Sequence, residues 1–214
     1  MTRFSLVVTD AGPLITLAVA QALDTLLLVK LPVIVPDMVR FEVIRDLSKP
    51  GAQEVADWIR CHEGQQVHVA STEVFEEYQV LLAANPDART KDRGERAAAE
   101  VLGKVMGKER GKERGKEPAG TQRGAILLFE DSGVRKQNFL IRLPDEVLVV
   151  STSEFLFGLE SAKLLTSAAD VLQRATTLRG NQILERHVGG TVATAPDSWP
   201  ARLQRPRRRV GKAT

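Results

Sequence analysis

Two acidic segments each follow a short apolar run of the kind that forms a buried strand. Residues 4–9 (FSLVVT) end at Asp10, and residues 125–129 (AILLF) end at Glu130 and Asp131. Ligands of open α/β sheets bind outside the carboxyl ends of the strands, so acids at these positions are placed for chemistry. Several acids in one pocket repel each other unless a cation neutralises them. The pattern therefore predicts an acidic pocket that holds a divalent metal ion.

Two glutamates in predicted helices are further candidates for this pocket. Glu42 shares a helix face with the apolar residues Met38 and Val39, which on its own is more typical of a carboxylate at the rim of the core than of one in a site. Glu95 begins the apolar stripe of its helix. Its spacing from Asp92 also fits a capping box, which would give Glu95 a structural role instead. From the residues alone, both interpretations stay open.

The residue types favour one class of metal and argue against other chemistries. An all-carboxylate set suits Mg²⁺ or Mn²⁺, which prefer oxygen ligands. His62, His68 and His187 are scattered and lack the spacing of a zinc site or of a Ser-His-Asp triad. The Gly-Lys pairs of residues 107–117 follow no strand and are not a phosphate-binding P-loop. Gly12 stands where a phosphatase of the haloacid-dehalogenase type needs a second aspartate.

The elements that must position these acids alternate along the chain. The sequence predicts strands at 4–9, 33–35, 67–69, 125–129 and 147–150, and helices at 14–29, 37–46, 52–60, 72–84, 93–106, 132–140, 152–160 and 167–187. Short apolar strands alternating with helices indicate a mostly parallel sheet that is covered on both faces. The predicted fold class is α/β, a three-layer α/β/α sandwich with a central, mostly parallel sheet.

The 214 residues are enough for one domain with extensions. The predicted domain spans residues 1–165 and contains a charged insertion at about 103–124, where GKERGKERGKE has nothing apolar to bury. A C-terminal helix at 166–188 and a disordered basic tail at 189–214 follow. Residues 201–214 carry six of the 30 basic residues and no acid, so the rest of the chain holds 24 basic and 27 acidic residues. The net charge of +3 is therefore a property of the tail.

Composition also indicates a location. The single cysteine, Cys61, cannot form an internal disulfide, which agrees with a reducing compartment. No secretory signal is visible. The longest apolar segment, residues 14–29, contains Gln21 and Asp24 and is too short and too polar to cross a bilayer. We expect a cytoplasmic protein without a membrane partner.

At this point the motifs resemble those of the PIN-domain ribonucleases, and especially their prokaryotic, VapC-like toxin branch, which opens on DAGPLI. The matching segments in chain order are residues 9–15 (TDAGPLI), 33–36 (VIVP) followed by Glu42, Gly94-Glu95, 127–131 (LLFED) with Val134-Arg135, and 147–159 (VLVVSTSEFLFGL). The resemblance covers about residues 4–165 apart from the insertion. Glu130 departs from it, because that branch usually has aspartate there.

The resemblance implies a metal-dependent nuclease that hydrolyses RNA, often as the toxin of a toxin–antitoxin pair. Carried over by motif, Asp10, Glu42, Glu95 and Asp131 form the catalytic and metal-binding set, with Mg²⁺ or Mn²⁺ as cofactor. The expected partners are an RNA substrate, a cognate antitoxin and a second copy of the chain in a dimer. The alternative is a catalytically silent PIN-like module that binds RNA or a protein. Thr9 and Ser132 are further candidates for contact with the scissile phosphate, although a structural turn role fits both.

Overall fold

The computed structural model describes residues 2–112, 122–130, 143–144, 146–179 and 199–200. Its centre is a sheet of five parallel strands: β1 (Thr2–Thr9), β2 (Val33–Pro36), β3 (Val67–Ala70), β4 (Gln122–Leu128) and β5 (Val147–Val150). The spatial order is β3-β2-β1-β4-β5. The strand order reverses between β1 and β4, which form the centre of the sheet and pair from Thr2 opposite Gln122 to Thr9 opposite Leu128.

Helices cover both faces of this sheet. They are α1 (Ala11–Val19), α2 (Asp37–Ile44), α3 (Ala52–His62), α4 (Glu73–Ala84), α5 (Arg93–Lys112), α6 (Thr152–Ser161) and α7 (Ala168–Arg179), and a 3₁₀ helix spans Leu23–Leu27. One core cluster joins α1, α3, α6 and α7 to one face, and a second joins α5 to the other. The predicted α/β/α sandwich with a parallel sheet is confirmed.

The alternating side chains of β1 show why residues 6–8 of this central strand are all apolar. Val7 packs in the cluster with α1, whereas Leu6 and Val8 pack in the cluster with α5. Successive side chains of a strand point to opposite faces, so a strand covered by helices on both faces must be apolar at every position. The first polar residue whose side chain reaches the edge of the sheet is therefore Asp10.

The helix predicted at 14–29 is wrong in its bounds. The structure begins α1 at Ala11, with Pro13 in its first turn, where a missing N–H costs nothing. It ends α1 at Val19, and Gln21 takes a left-handed φ of 52°. The Ala22 N–H then donates to the Leu17 carbonyl at 2.8 Å, which closes the helix end. The apolar residues that follow form the 3₁₀ helix instead.

The predicted end of the fifth helix near Met106 is also wrong. Helix α5 continues to Lys112, through the first residues of the charged repeat. Its packed first turns already supply the helix nucleus, and the Lys, Glu and Arg of the repeat are good helix formers. Extension of this helix therefore needs no apolar contact. The remainder of the predicted insertion from residue 113 lies outside the described residues, apart from the segment that forms β4.

The C-terminal part of the chain buries Trp199 and Pro200, which the predicted disordered tail does not anticipate. Trp199 stacks on Phe155 at 5.1 Å between ring centroids, and its indole N–H donates to the Glu154 carbonyl at 3.2 Å. Gly158 faces the indole so closely that a Cβ there has no room. Residues 180–198 and 201–214 lie outside the described part, as does the helix predicted at 132–140.

Candidate acidic site

The acidic residues meet where the strand order reverses. Asp10 follows β1 and takes the N-cap position of α1 with an extended backbone, although its carboxylate does not accept the capping hydrogen bond. Its N–H donates to the Leu128 carbonyl at 3.1 Å, which fixes the end of β1 beside the end of β4. Open α/β sheets bind ligands in the crevice at this switch point.

A cavity of about 270 Å³ opens at this edge. Its described lining residues are Asp10, Ala11, Glu42, Thr90, Lys91, Asp92, Gly94 and Glu95. Three of its carboxylates come from three different elements: Asp10 from the end of β1, Glu42 from α2 and Glu95 from the first turn of α5. The packing of α2 against α5 brings the two glutamates to the cavity.

Gly94 permits this close approach. A Cβ at Gly94 would lie 2.7 Å from Glu42 Oε2 and 3.1 Å from Asp10 Oδ1. Both oxygens therefore lie within 3.1 Å of one point, the position that the Cβ would take. The absence of a side chain at Gly94 lets the two carboxylates converge on the N-terminal turn of α5.

The electrostatics of Glu42 reflect this convergence. Burial, together with the neighbouring charges of Asp10 and Glu95, raises the pKa of Glu42 from its usual 4.5 to about 7. Hydrogen bonds from the Thr90 hydroxyl and the Gly94 N–H stabilise the ionised form and lower the pKa, but they do not offset burial and repulsion. Without a cation, this carboxyl is partly protonated at neutral pH.

Glu130 reaches the same edge of the sheet from the end of β4. Its Oε1 accepts a hydrogen bond of 2.7 Å from the hydroxyl of Thr152, a fully buried residue at the start of α6. Its Oε2 lies 3.0 Å from the position that a Cβ on Gly12 would occupy in the first turn of α1. Glu130 is thus held beside the α1 turn that follows Asp10.

Residues 6–88 match the family model DUF3368, which is described as a PIN domain. This part of the chain is similar to a PIN domain. The match spans β1 to α4, and therefore includes Asp10 and Glu42 but neither Glu95 nor Glu130. PIN domains are generally nucleases, so the family indicates a nuclease. No match is found among curated proteins.

The structure brings together most of the residues predicted for the site. Asp10, Glu42 and Glu95 line one cavity. Asp131 and Ser132 lie outside the described residues. Thr9 is fully buried and its hydroxyl donates to the Asp10 carbonyl at 3.1 Å, so it supports the strand end and does not reach the cavity.

The capping-box alternative for Glu95 is not supported by the backbone. Asp92 takes a left-handed φ of 61°, whereas an N-cap residue has an extended backbone. Asp92 and Glu95 both line the acidic cavity. The spacing of Asp92 and Glu95 is compatible with a capping box or with a Glu95 that belongs to the site. The observed backbone at Asp92 excludes the capping box.

Three residues near the acids have no sequence signal that marks them. Thr90 and Lys91 belong to the loop between α4 and α5, and they reach the cavity only because α5 packs against α2. Thr152 reaches Glu130 across the β4–β5 edge.

The described residues do not form a finished metal site. No group of three His, Cys, Asp or Glu side chains in the described part lies close enough to hold a metal ion as it stands. The acids interact instead in pairs, Asp10 with Glu42 and Glu42 with Glu95.

Cys61 is exposed, and within the described ranges no helix is long and apolar enough to cross a membrane.

Proposed function

We propose that this protein is a metal-dependent endoribonuclease that hydrolyses RNA phosphodiester bonds. The observation that carries the proposal is the convergence of Asp10, Glu42 and Glu95 on one cavity at the switch point of the sheet. The similarity of residues 6–88 to a PIN domain supports nuclease activity. The carboxylate cavity supports a metal-dependent mechanism. Acids placed this way disfavour each other, so a positive ligand is needed to stabilise their ionised forms together.

The donor chemistry of the cavity fits Mg²⁺ or Mn²⁺. All candidate ligands are carboxylate oxygens, which these hard cations prefer. The raised pKa of Glu42 also favours a bound cation, because the carboxyl lacks a neighbouring positive charge sufficient to keep it ionised. In the proposed site Asp10, Glu42 and Glu95 hold the metal together with Asp131, and Glu130 lies close enough to the edge to assist.

The chain's own residues bind and orient the reacting groups. When bound, Mg²⁺ or Mn²⁺ supplies Lewis acidity that makes water a stronger nucleophile at neutral pH and offsets the charge developing on phosphate oxygens. Glu42 releases its proton as the site is loaded, since its pKa falls beside a positive charge. Thr90 and the Gly94 N–H hold the ionised Glu42 carboxylate in place through their hydrogen bonds.

The biological role that we propose is that of a toxin in a toxin–antitoxin pair. The opening motif around Asp10, with its Ala-Gly-Pro-Leu-Ile continuation, supports this branch of the family. In this proposal a cognate antitoxin covers the site, the protein forms a dimer, and the RNA is cut in the cytoplasm.

The test is cleavage of a mixed RNA by the purified full-length protein with Mn²⁺, Mg²⁺ or EDTA. We expect metal-dependent cleavage that Asp10→Asn reduces at least ~100-fold, because an amide cannot replace a carboxylate ligand to a hard cation. Asp57→Asn is the matched control. It removes an acid whose described ion pair, with Arg60, is exposed and therefore weak.

Four outcomes would contradict the proposal. Equal cleavage by wild type and Asp10→Asn, or cleavage that survives EDTA, would indicate a contaminating nuclease or another mechanism. Cleavage of single-stranded DNA but not of RNA would be consistent with nuclease activity but would overturn RNA as the proposed substrate. A folded, metal-loaded protein that cuts neither would favour the silent PIN-like module.

A further inference from the structure

Lys91 is the basic residue among the described residues that line the acidic cavity. The other ionisable lining residues are all acids: Asp10, Glu42, Asp92 and Glu95. A lysine in such surroundings would be expected to pair with one of them. Lys91 is nevertheless exposed and forms no ion pair or hydrogen bond with any residue that the structure describes.

Lys104 shows the contacts that a lysine makes when it pairs with carboxylates of its own helix and of a neighbouring one. Lys104, on α5, contacts Glu100 at 2.6 Å and Glu73 at 3.2 Å. These contacts join α5 to the start of α4, so Lys104 has a structural role. Lys91 has neither partner nor packing role in the described part of the chain, which leaves its ammonium group available to an anion.

The loop that carries Lys91 is fixed on both sides of it. The hydroxyl of the buried Tyr78 donates to the Ala88 carbonyl at 2.9 Å. The Thr90 hydroxyl donates to Glu42, and the Arg93 N–H donates to the Thr90 carbonyl at 3.0 Å. The backbone of Lys91 is therefore held beside the cavity, and the residue is exposed.

Two arginines continue the positive charge along this loop. Arg89 is exposed and, like Lys91, has no ion pair with a described residue. The Arg93 guanidinium lies 5.1 Å from the centre of the Tyr78 ring, a cation–π contact that holds it without neutralising it. Arg89, Lys91 and Arg93 stand at alternating positions of this segment, and Lys91 lines the acidic cavity. Positive charge beside a cavity that could hold a metal can attract a nucleic-acid backbone to it.

We propose that Lys91 binds a backbone phosphate of single-stranded nucleic acid next to the phosphodiester bond that the acidic cavity receives. This proposal rests on the proposed function, because it assigns a contact to the substrate of that site. A lysine contact of this kind adds affinity without sequence information. It also orients the strand, since the contacted phosphate and the reacting one are neighbours on the same backbone.

Binding of a short fluorescent oligouridylate in EDTA, over about 50 to 200 mM salt, tests the contact without requiring cleavage. The proteins are full-length Asp10→Asn and the same protein with Lys91→Ala, Lys91→Arg or Lys49→Ala. Lys49, an exposed residue of the α2–α3 connection, lies two positions before Gly51, which packs against the C-terminal end of α1 at the opposite edge of the sheet. It therefore controls for loss of a surface charge.

We expect Lys91→Ala to weaken binding about fivefold at 0.1 M salt and to reduce the salt slope by about 0.7, the share of one phosphate contact on a single strand. Lys91→Arg should keep the slope, and Lys49→Ala should match the parent. In the active protein, Lys91→Ala should raise KM several-fold and leave kcat within about twofold.

The outcomes separate this proposal from the proposed function. Unchanged affinity and slope in Lys91→Ala would overturn the phosphate contact even if the wild type cleaves RNA. The expected loss of slope in a protein that cleaves no RNA would support the contact and overturn the nuclease. Equal losses in Lys91→Ala and Lys49→Ala, or no measurable binding by the parent protein, would also overturn the contact.

Discussion

Gly94→Ala adds a methyl group where two carboxylates of the site converge. The new Cβ would lie 2.7 Å from Glu42 Oε2 and 3.1 Å from Asp10 Oδ1, whereas ordinary contacts begin near 3.4 Å. The Glu42 oxygen must therefore retreat by roughly 0.7 Å and the Asp10 oxygen by roughly 0.3 Å. Both oxygens are the ends of side chains that can rotate, so the fold can absorb the methyl group but the site geometry cannot.

We expect this substitution to reduce metal-dependent RNA cleavage by about 10- to 100-fold, because a displacement approaching 1 Å at reacting groups can cost about that much. Stability should change little. Alanine favours a helix over glycine by up to about 1 kcal/mol, which opposes the steric cost. The measurements are the initial cleavage rate with Mn²⁺, Mn²⁺ affinity by calorimetry and Tm by thermal unfolding.

Gly103→Ala is the matched control in the same helix. A Cβ at Gly103 meets nothing within 4 Å, so this variant should gain helix propensity and keep full activity. Wild-type cleavage and Mn²⁺ affinity in a folded Gly94→Ala protein would refute the reasoning. A loss of activity accompanied by a fall in Tm well beyond 4 °C would also refute it, because the methyl group would then disturb the fold rather than the site.

Two further predictions concern acids at the same edge. In the metal-free protein the folded state keeps a proton on Glu42 between about pH 4.5 and 7 that the unfolded chain has released, so stability should fall as pH rises through this range. The full pKa change corresponds to about 3 kcal/mol, which solvent screening at this partly exposed group reduces to about 1–2 kcal/mol. Urea unfolding in EDTA should show that the free energy of unfolding of Glu42→Gln varies with pH by about 1–2 kcal/mol less than that of the wild type. An unchanged pH dependence would contradict the assignment. Thr152→Val should lower the free energy of unfolding by about 1–2 kcal/mol and reduce cleavage, because Glu130 loses its 2.7 Å hydrogen bond. Thr176→Val, which removes a bond to a carbonyl within α7, should leave cleavage unchanged, and equal activities of the two variants would exclude Glu130 from the site.

The parts of the site that the sequence predicts are those with a local signature. Asp10 is recognisable because it ends an apolar run, and a strand buried on both faces has few positions for an acid. Glu42 and Glu95 follow from helical periodicity combined with a family resemblance. Periodicity alone left both of them as candidates for the rim of the core or for a cap.

The parts that the sequence does not predict depend on contacts between distant segments. Thr90 and Lys91 meet Glu42 only after α5 has packed against α2, and their loop has no pattern that distinguishes it from an ordinary connection. The break between α1 and the 3₁₀ helix depends on a left-handed residue at Gln21 within an apolar run. The burial of Trp199 depends on a space over Gly158, which the sequence of the tail does not reveal.

The balance of forces at Glu42 is an argument for a ligand rather than for a structural role. Two hydrogen bonds, from Thr90 and Gly94, stabilise its ionised form, yet burial and the charge of Asp10 raise its pKa to about 7. A carboxyl retained only for the fold would oppose stability above that pH, and an apolar residue would serve the core better. A cation in the cavity would attract each carboxylate and offset their mutual repulsion, because Asp10 and Glu95 would then share it with Glu42. The unfavourable electrostatics of the metal-free protein thus support the proposed metal site, and the metal that relieves them would also supply the chemistry.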